Sequence, residues 1–217
     1  LQVMGKSMSS TSVAIQGFGN VGAHAAKFSF ERGAKVVAIS DVHGGIYNGN
    51  GLDIAKIWDH YQVKKSFEGL TVPHEKISNE QLLAVKCDAL LPCALDGAIN
   101  GKNAGGIQAK LIVEGANGPC TNEATEILLN KGVTIVPDIL ANGGGVIVSY
   151  FEWVQGMASF FWSEEEVNKK LYDQITKAFH RVWDFSKQKN VDHRTAAMGV
   201  ALKRLEKAML LRGLYPR

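Results

Sequence analysis

Three observations predict an α/β fold with a doubly wound, mostly parallel sheet followed by a C-terminal helical annex. Short β-branched runs recur between residues 12 and 138, helical patterns separate them, and the chain from about residue 146 onward reads as helix. The runs are "SVAIQ" 12–16, "KVVAIS" 35–40, "CDALLPC" 87–93, "KLIVEGAN" 110–117 and "VTIVPD" 133–138. Near-continuous apolar runs of this kind suit parallel strands covered on both faces. With 217 residues the chain can bury a substantial core.

The elements follow in order. After the first run comes a glycine-rich turn, then a helical pattern from Asn20 to Arg32 that Gly33 stops. The second run leads to Asp41. The connection from about Tyr47 to Lys86 holds a helix near 52–61, an irregular "KKSFEGLTVPHEKIS" and a short helix near 79–85. Thr121 and Asn122 open a helix that Gly132 closes, and Ser163 with Glu166 has the spacing of a capping box. The expected organisation is a sheet domain over residues 1–145, with helices over 146–217 packing on the same domain. The aromatic series Tyr150, Phe151, Trp153, Phe160, Phe161 and Trp162 is expected as core between annex and sheet.

Composition excludes several classes. A formal charge of +3, from 24 basic and 21 acidic side chains without clustering, lacks the electrostatic footprint of a nucleic-acid binder. Three cysteines without a C-x-x-C pair suggest neither a disulfide framework nor a zinc site, and six histidines lack metal-ligand spacing, so no metal is expected. No apolar stretch reaches bilayer-spanning length and the first residues lack a signal-peptide layout. The expected setting is the cytoplasm, or an organelle matrix. H-E-x-x-H and G-x-S-x-G do not occur, which removes two routes to hydrolysis.

The chemistry concentrates in "QGFGNVG", residues 16–22. Gly17, Gly19 and Gly22 lie between a predicted strand and a predicted helix, with Phe18, Asn20 and Val21 between them. In a Rossmann-like fold the first glycine permits the tight turn, the second lets a pyrophosphate approach the backbone, and the third lets helix and strand pack closely. Asp41 ends the next strand about 20 residues beyond Gly22, where a carboxylate accepts hydrogen bonds from an adenosine ribose. It would repel a 2′-phosphate, which would want an arginine or lysine beside it, and only His43 is close in sequence, which favours NAD over NADP as cofactor. A packing loop in another α/β protein, with Asp41 capping a turn, stays open at this level. A methyltransferase is disfavoured because Gln16 stands where an acidic residue commonly precedes the glycines.

Three later stretches, "CDALLPCALDGAIN" 87–100, "VEGANGPCTNEA" 113–124 and "PDILANGGGVIVSYFEWVQG" 137–156, narrow the reading. With the glycine turn they resemble the cofactor domain of the glutamate/leucine/phenylalanine/valine dehydrogenase family, from near Thr11 to the closing "RGLYP". The resemblance implies reversible NAD(P)-dependent oxidative deamination of L-glutamate to 2-oxoglutarate and ammonia in a homo-hexamer. It implies that Asn117 and Asn142 contact the nicotinamide half, that Cys93, Ala94 and Leu95 line its ribose, and that Ser149 with Val146 selects substrate. The glutamate branch has a serine that helps hold the substrate's side-chain carboxylate; branches for apolar amino acids place an aliphatic residue there. Gly143 stands where the family usually shows alanine, and Cys120 where threonine is common.

The resemblance also implies that catalytic residues, including a lysine and an aspartate, lie in an N-terminal domain preceding the point where this sequence begins. The chain alone is therefore expected to bind dinucleotide without deaminating anything. A dehydrogenase for an apolar amino acid and a free-standing NAD(H)-binding sensor module remain the alternatives.

Overall fold

The structure, a computed structural model, describes residues 1–213; Leu214, Tyr215 and Pro216 of the closing motif lie outside the described residues. The chain divides into two compact units, Leu1–Asp138 and Ile139–Arg217. The division falls at 138/139, where the sequence reading put it at 145/146. The last strand ends at Val136 and helical backbone resumes at once, at Asp138.

The first unit is a seven-stranded sheet. Its strands are β1 (Ser12–Gln16), β2 (Lys35–Asp41), β3 (Gly44–Tyr47), β4 (Glu75–Ile77), β5 (Ala89–Pro92), β6 (Leu111–Val113) and β7 (Thr134–Val136). They lie in the order β4-β3-β2-β1-β5-β6-β7. The five strands expected from sequence form the parallel part, β2-β1-β5-β6-β7. Two further strands were not anticipated: β3 and β4 extend the sheet antiparallel beyond β2. "GGIY" and "EKI" are short and half polar, with two glycines in the first, so neither shows the apolar run of a covered strand.

Four α-helices lie within this unit: α1 (Asn20–Glu31), α2 (Ile54–Lys64), α3 (Asn79–Leu83) and α4 (Asn122–Asn130). The sheet separates two apolar clusters. Val13, Ile15, Val36 and Ile39 pack with Ala23 and Ala26 of α1 and Ile54 and Ile57 of α2. Ala14, Leu90, Ile112 and Ile135 pack with Leu82 of α3 and Leu128 of α4 on the other face. Alternation along β2 breaks once. Val13 pairs with Val36 but Ala14 pairs with Ala38, so Val37 is the extra residue of a bulge. Val37 and Ala38 accordingly join the same cluster.

At the amino edge of the sheet Asp88, just before β5, accepts from the Ser12 backbone N–H at 2.9 Å and the Ser12 hydroxyl at 2.6 Å, and it pairs with Lys6. The Lys6 ammonium first, and then the Ser12 donors, hold the Asp88 carboxyl well below the usual carboxylate range.

The short helix α5 (Asp138–Ala141) bridges into the second unit, which contains α6 (Gly144–Ala158), α7 (Glu164–Lys189) and α8 (His193–Arg212). The predicted capping box is present: the Ser163 hydroxyl accepts from Glu166 N–H, and the Glu166 carboxylate accepts from Ser163 N–H. Three acidic residues in the first turn of α7 and Lys187 and Lys189 in its last turn complement the helix dipole.

The aromatic series departs from expectation. Phe151 is buried, edge-on to Trp162 at 5.6 Å, while Tyr150, Trp153, Phe160 and Phe161 are exposed. Val146, Tyr150, Trp153 and Met157 recur at helical spacing, so they share a face of α6 that Phe151 does not.

Candidate functional site

Beyond Gln16 the chain turns sharply into α1, and β1 leads to β2 on one side and neighbours β5 on the other. This is the topological switch point of the parallel sheet, where the carboxyl ends of the strands leave a crevice. The glycines explain the turn. Gly17 has φ +90°, and a side chain there would press on Ala94, with Cβ atoms 3.0 Å apart. A Cβ on Gly22 would overlap the Gly17 carbonyl oxygen, so helix and turn can be this close only without one. Gly19 is different: nothing lies within 4 Å of the Cβ it lacks. Neighbouring protein atoms leave that space open, directly before the first turn of α1, where no side chain caps the helix.

Cys93, Ala94 and Leu95 leave β5 beside this turn. Cys93 N–H donates to the Gln16 carbonyl at 2.8 Å, while Ala94 and Leu95 are exposed. The Cys93 thiol lies inward, and burial pushes it up to about 12. Asn117 closes the turn after β6, which is tied to β5 because Gly115 and Ala116 N–H both donate to the Pro92 carbonyl, at 3.0 and 2.9 Å. That turn is braced from below. Fully buried Glu114 accepts from Asp138 N–H at 2.8 Å, and Asp138 accepts from Gly118 N–H at 2.8 Å. Sequence reasoning missed this brace, since Glu114 and Asp138 meet only through the β6–β7 pairing.

Asp41 ends β2 and forms the tight turn to β3. Its Oδ1 accepts from His43 N–H at 2.8 Å, and its Oδ2 faces the Tyr61 hydroxyl at 3.4 Å. One half-buried carboxylate thus caps the turn and faces the end of α2. Next to it opens a cavity of about 610 Å³ lined by Asp41, His43, Lys64, Lys65, Phe67 and Lys76. The three lysines come from the end of α2 and from β4, so no local window around Asp41 reveals them.

Val146 and Ser149 lie in the second unit, both exposed on α6. Asn142 and Gly143 connect α5 to α6 and are half-buried.

A glycine turn at the switch point, followed by an acidic residue at the end of the neighbouring strand, places the chain among the doubly wound, Rossmann-like folds. Within that class the particular family is settled by comparison. The family model for Glutamate/Leucine/Phenylalanine/Valine dehydrogenase matches residues 1–213, and the chain belongs to this family.

Among relatives, a glutamate dehydrogenase of Thermotoga maritima is 48% identical over 220 residues, covering 100% of this chain and 52% of that protein. An NAD-specific glutamate dehydrogenase of Staphylococcus aureus is 46% identical over 202 residues, covering 93% of this chain and 48% of that protein. Among solved structures, hetero-hexameric glutamate dehydrogenase of Thermus thermophilus in its Leu-bound form superposes with a TM-score of 0.90 at 35% identity, over 99% of this chain and 50% of that one. The glutamate dehydrogenase of Peptoniphilus asaccharolyticus gives 0.83 at 35% identity, over 99% and 50%. The chain therefore spans about half the length of the relatives it matches.

Proposed function

We propose that the chain is the cofactor-holding part of a glutamate dehydrogenase that interconverts L-glutamate with 2-oxoglutarate and ammonia, using NAD. The observation that carries this reading is the open space at Gly19 between two glycines that protein packing does explain, with Asp41 on the next strand. A pyrophosphate fits the space a Cβ would occupy, and the uncapped amides of α1 suit its charge. The names of the relatives support glutamate as substrate and NAD as cofactor.

Gly17 to Gly22 would hold the pyrophosphate, Asp41 the adenosine ribose, and Cys93, Ala94, Leu95, Asn117 and Asn142 the nicotinamide half. When bound, the nicotinamide supplies the acceptor for the hydride that leaves the substrate α-carbon. The residues of this chain fix the ring's position, and Ser149 with Val146 supplies contacts to the substrate side chain. Hydride transfer needs donor and acceptor carbons about 3–3.5 Å apart, so orientation is the chain's main contribution. In this reading these residues bind cofactor without turnover, and the whole enzyme works as a hexamer.

A second reading, tolerance of NADP, is favoured by one observation: Lys64, Lys65 and Lys76 share the cavity beside Asp41. Titration with NADH and with NADPH, following energy transfer from tryptophan to the reduced nicotinamide, tests both readings. Saturable NADH binding at lower concentration than NADPH is expected. Equal or reversed affinities would give the lysines the deciding role, and no binding of either would remove the dinucleotide assignment. In a steady-state assay of the purified chain, glutamate-dependent NADH production would disprove binding without turnover.

A further inference from the structure

Phe18, between the first two glycines of the turn, is buried at 2% exposure. It does not pack on its own strand and helix alone. Its ring stands edge-on to Tyr61 at 4.9 Å and to Phe67 at 5.3 Å, and those two rings lie 5.1 Å apart. Tyr61 sits in the last turn of α2, and its backbone carbonyl accepts from Lys65 N–H at 3.0 Å, where Lys65 closes the helix in the left-handed conformation at φ 52°. The ring is thus fixed from both directions. Its hydroxyl reaches 3.4 Å from Asp41 Oδ2, while the other carboxylate oxygen is taken by the His43 amide at 2.8 Å. Asn79 Nδ2 donates to the Asp41 carbonyl at 3.0 Å, so the backbone of Asp41 is anchored independently of its side chain.

We propose that Tyr61 is a positioning residue that ties the glycine turn to the Asp41 carboxylate and so sets how strongly the site prefers a ribose diol to a 2′-phosphate. The proposal rests on the dinucleotide reading above. One side chain touches the two parts of the site that hold different groups of the same ligand: its ring meets Phe18 and its hydroxyl faces Asp41.

The physical consequence is directional. With the hydroxyl facing Oδ2 at 3.4 Å and the His43 amide donating to Oδ1, both carboxylate oxygens have a neighbour that biases their orientation, and a ribose diol would use the remaining lone pairs. Without the hydroxyl only the His43 amide orients the carboxylate, which weakens its grip on a diol. A 2′-phosphate gains nothing from that grip and suffers less from the change. Burial first, and then the Asp41 charge, push the Tyr61 phenol above its ordinary value, which keeps it a donor at neutral pH.

Tyr61→Phe keeps the ring and all three aromatic contacts while removing the donor. On the full chain, NADH and NADPH affinities are measured for the wild type, Tyr61→Phe, Asp41→Asn and the double variant. The long, partly exposed hydrogen bond corresponds to a drop of about three- to tenfold in the NADH-to-NADPH affinity ratio for Tyr61→Phe. In the Asp41→Asn background the same substitution is expected to leave the ratio where it is, because Tyr61 acts through that carboxylate. An unchanged ratio in Tyr61→Phe overturns the proposal, as does an equal shift with and without the Asp41 carboxylate. If the wild type binds neither dinucleotide, the reading of the site falls and the role of Tyr61 with it.

Discussion

The glycine turn and the surroundings of Asp41 are built on opposite principles. At the turn the backbone leaves no room: a Cβ on Gly17 would press on Ala94, one on Gly22 would overlap the Gly17 carbonyl oxygen, and Cys93 N–H bonds to the Gln16 carbonyl. At Asp41, side chains meet side chains around a cavity open enough for three lysines, a histidine and a tyrosine to share the neighbourhood. Close backbone packing leaves no adjustable part, so the turn suits a group common to every dinucleotide. Long polar side chains are adjustable, so the Asp41 end is where one dinucleotide is told from another.

Breaking the rigid end should have the largest effect. Gly22→Ala forces a methyl into the Gly17 carbonyl, and either turn or helix must shift; a loss of about 3 kcal/mol in stability is expected, with NADH binding abolished. Chemical denaturation and cofactor titration of the same sample check it. Unchanged binding would mean that the turn is far more pliant than its packing implies.

The opposite edge of the sheet provides the contrast. Asp88 is held below the usual carboxylate range by Lys6 and Ser12. A carboxyl with a depressed folded value stabilises the fold above its unfolded pKa of about 3.9, and that contribution is lost as pH falls through the folded value. Asp88→Asn should therefore cost about 1–2 kcal/mol near neutral pH, allowing for partial exposure, and flatten the acid limb of the stability profile. Cofactor affinity should stay as it was. A change in affinity would mean that strain passes through β1 from one edge to the other.

Asp41→Asn touches the adjustable end and should alter choice more than stability. An NADH-to-NADPH ratio lower by about tenfold, equivalent to about 1.4 kcal/mol, is expected, with a nearly unchanged unfolding midpoint. If stability falls with it, the turn-capping bond to His43 outweighs recognition.

Cys93 gives the smallest effect. With its thiol pushed up to about 12 by burial, almost no thiolate exists at pH 8, and alkylation of the folded chain at this residue should be slow. Mass-spectrometric mapping after brief iodoacetamide treatment, native against unfolded, reads it directly. Rapid native labelling would show that the β5 end opens.

Sequence made the rigid end readable and left the adjustable end obscure. The five parallel strands and the glycine turn declare themselves because apolar runs and turn glycines are local signals, and the Ser163 box is legible for the same reason. Asp41 was visible, but its surroundings were not: Tyr61, Lys64 and Lys65 arrive with α2 and Lys76 with β4, a strand of three residues with no apolar run. The aromatic series misled through composition. Rings at 150 and 153 fall on a different face of α6 from the ring at 151, and no count of aromatic residues separates those faces.

The bulge at Val37 bears on how the strand delivers Asp41 to the site. β2 carries one residue more than β1 requires, and the surplus sits in its amino half, while Ala14, Ile15 and Gln16 still pair one to one with Ala38, Ile39 and Ser40. The surplus is thus absorbed at the end of the strand remote from Asp41, and the carboxylate keeps its register with the glycine turn because every pairing after the bulge is one to one.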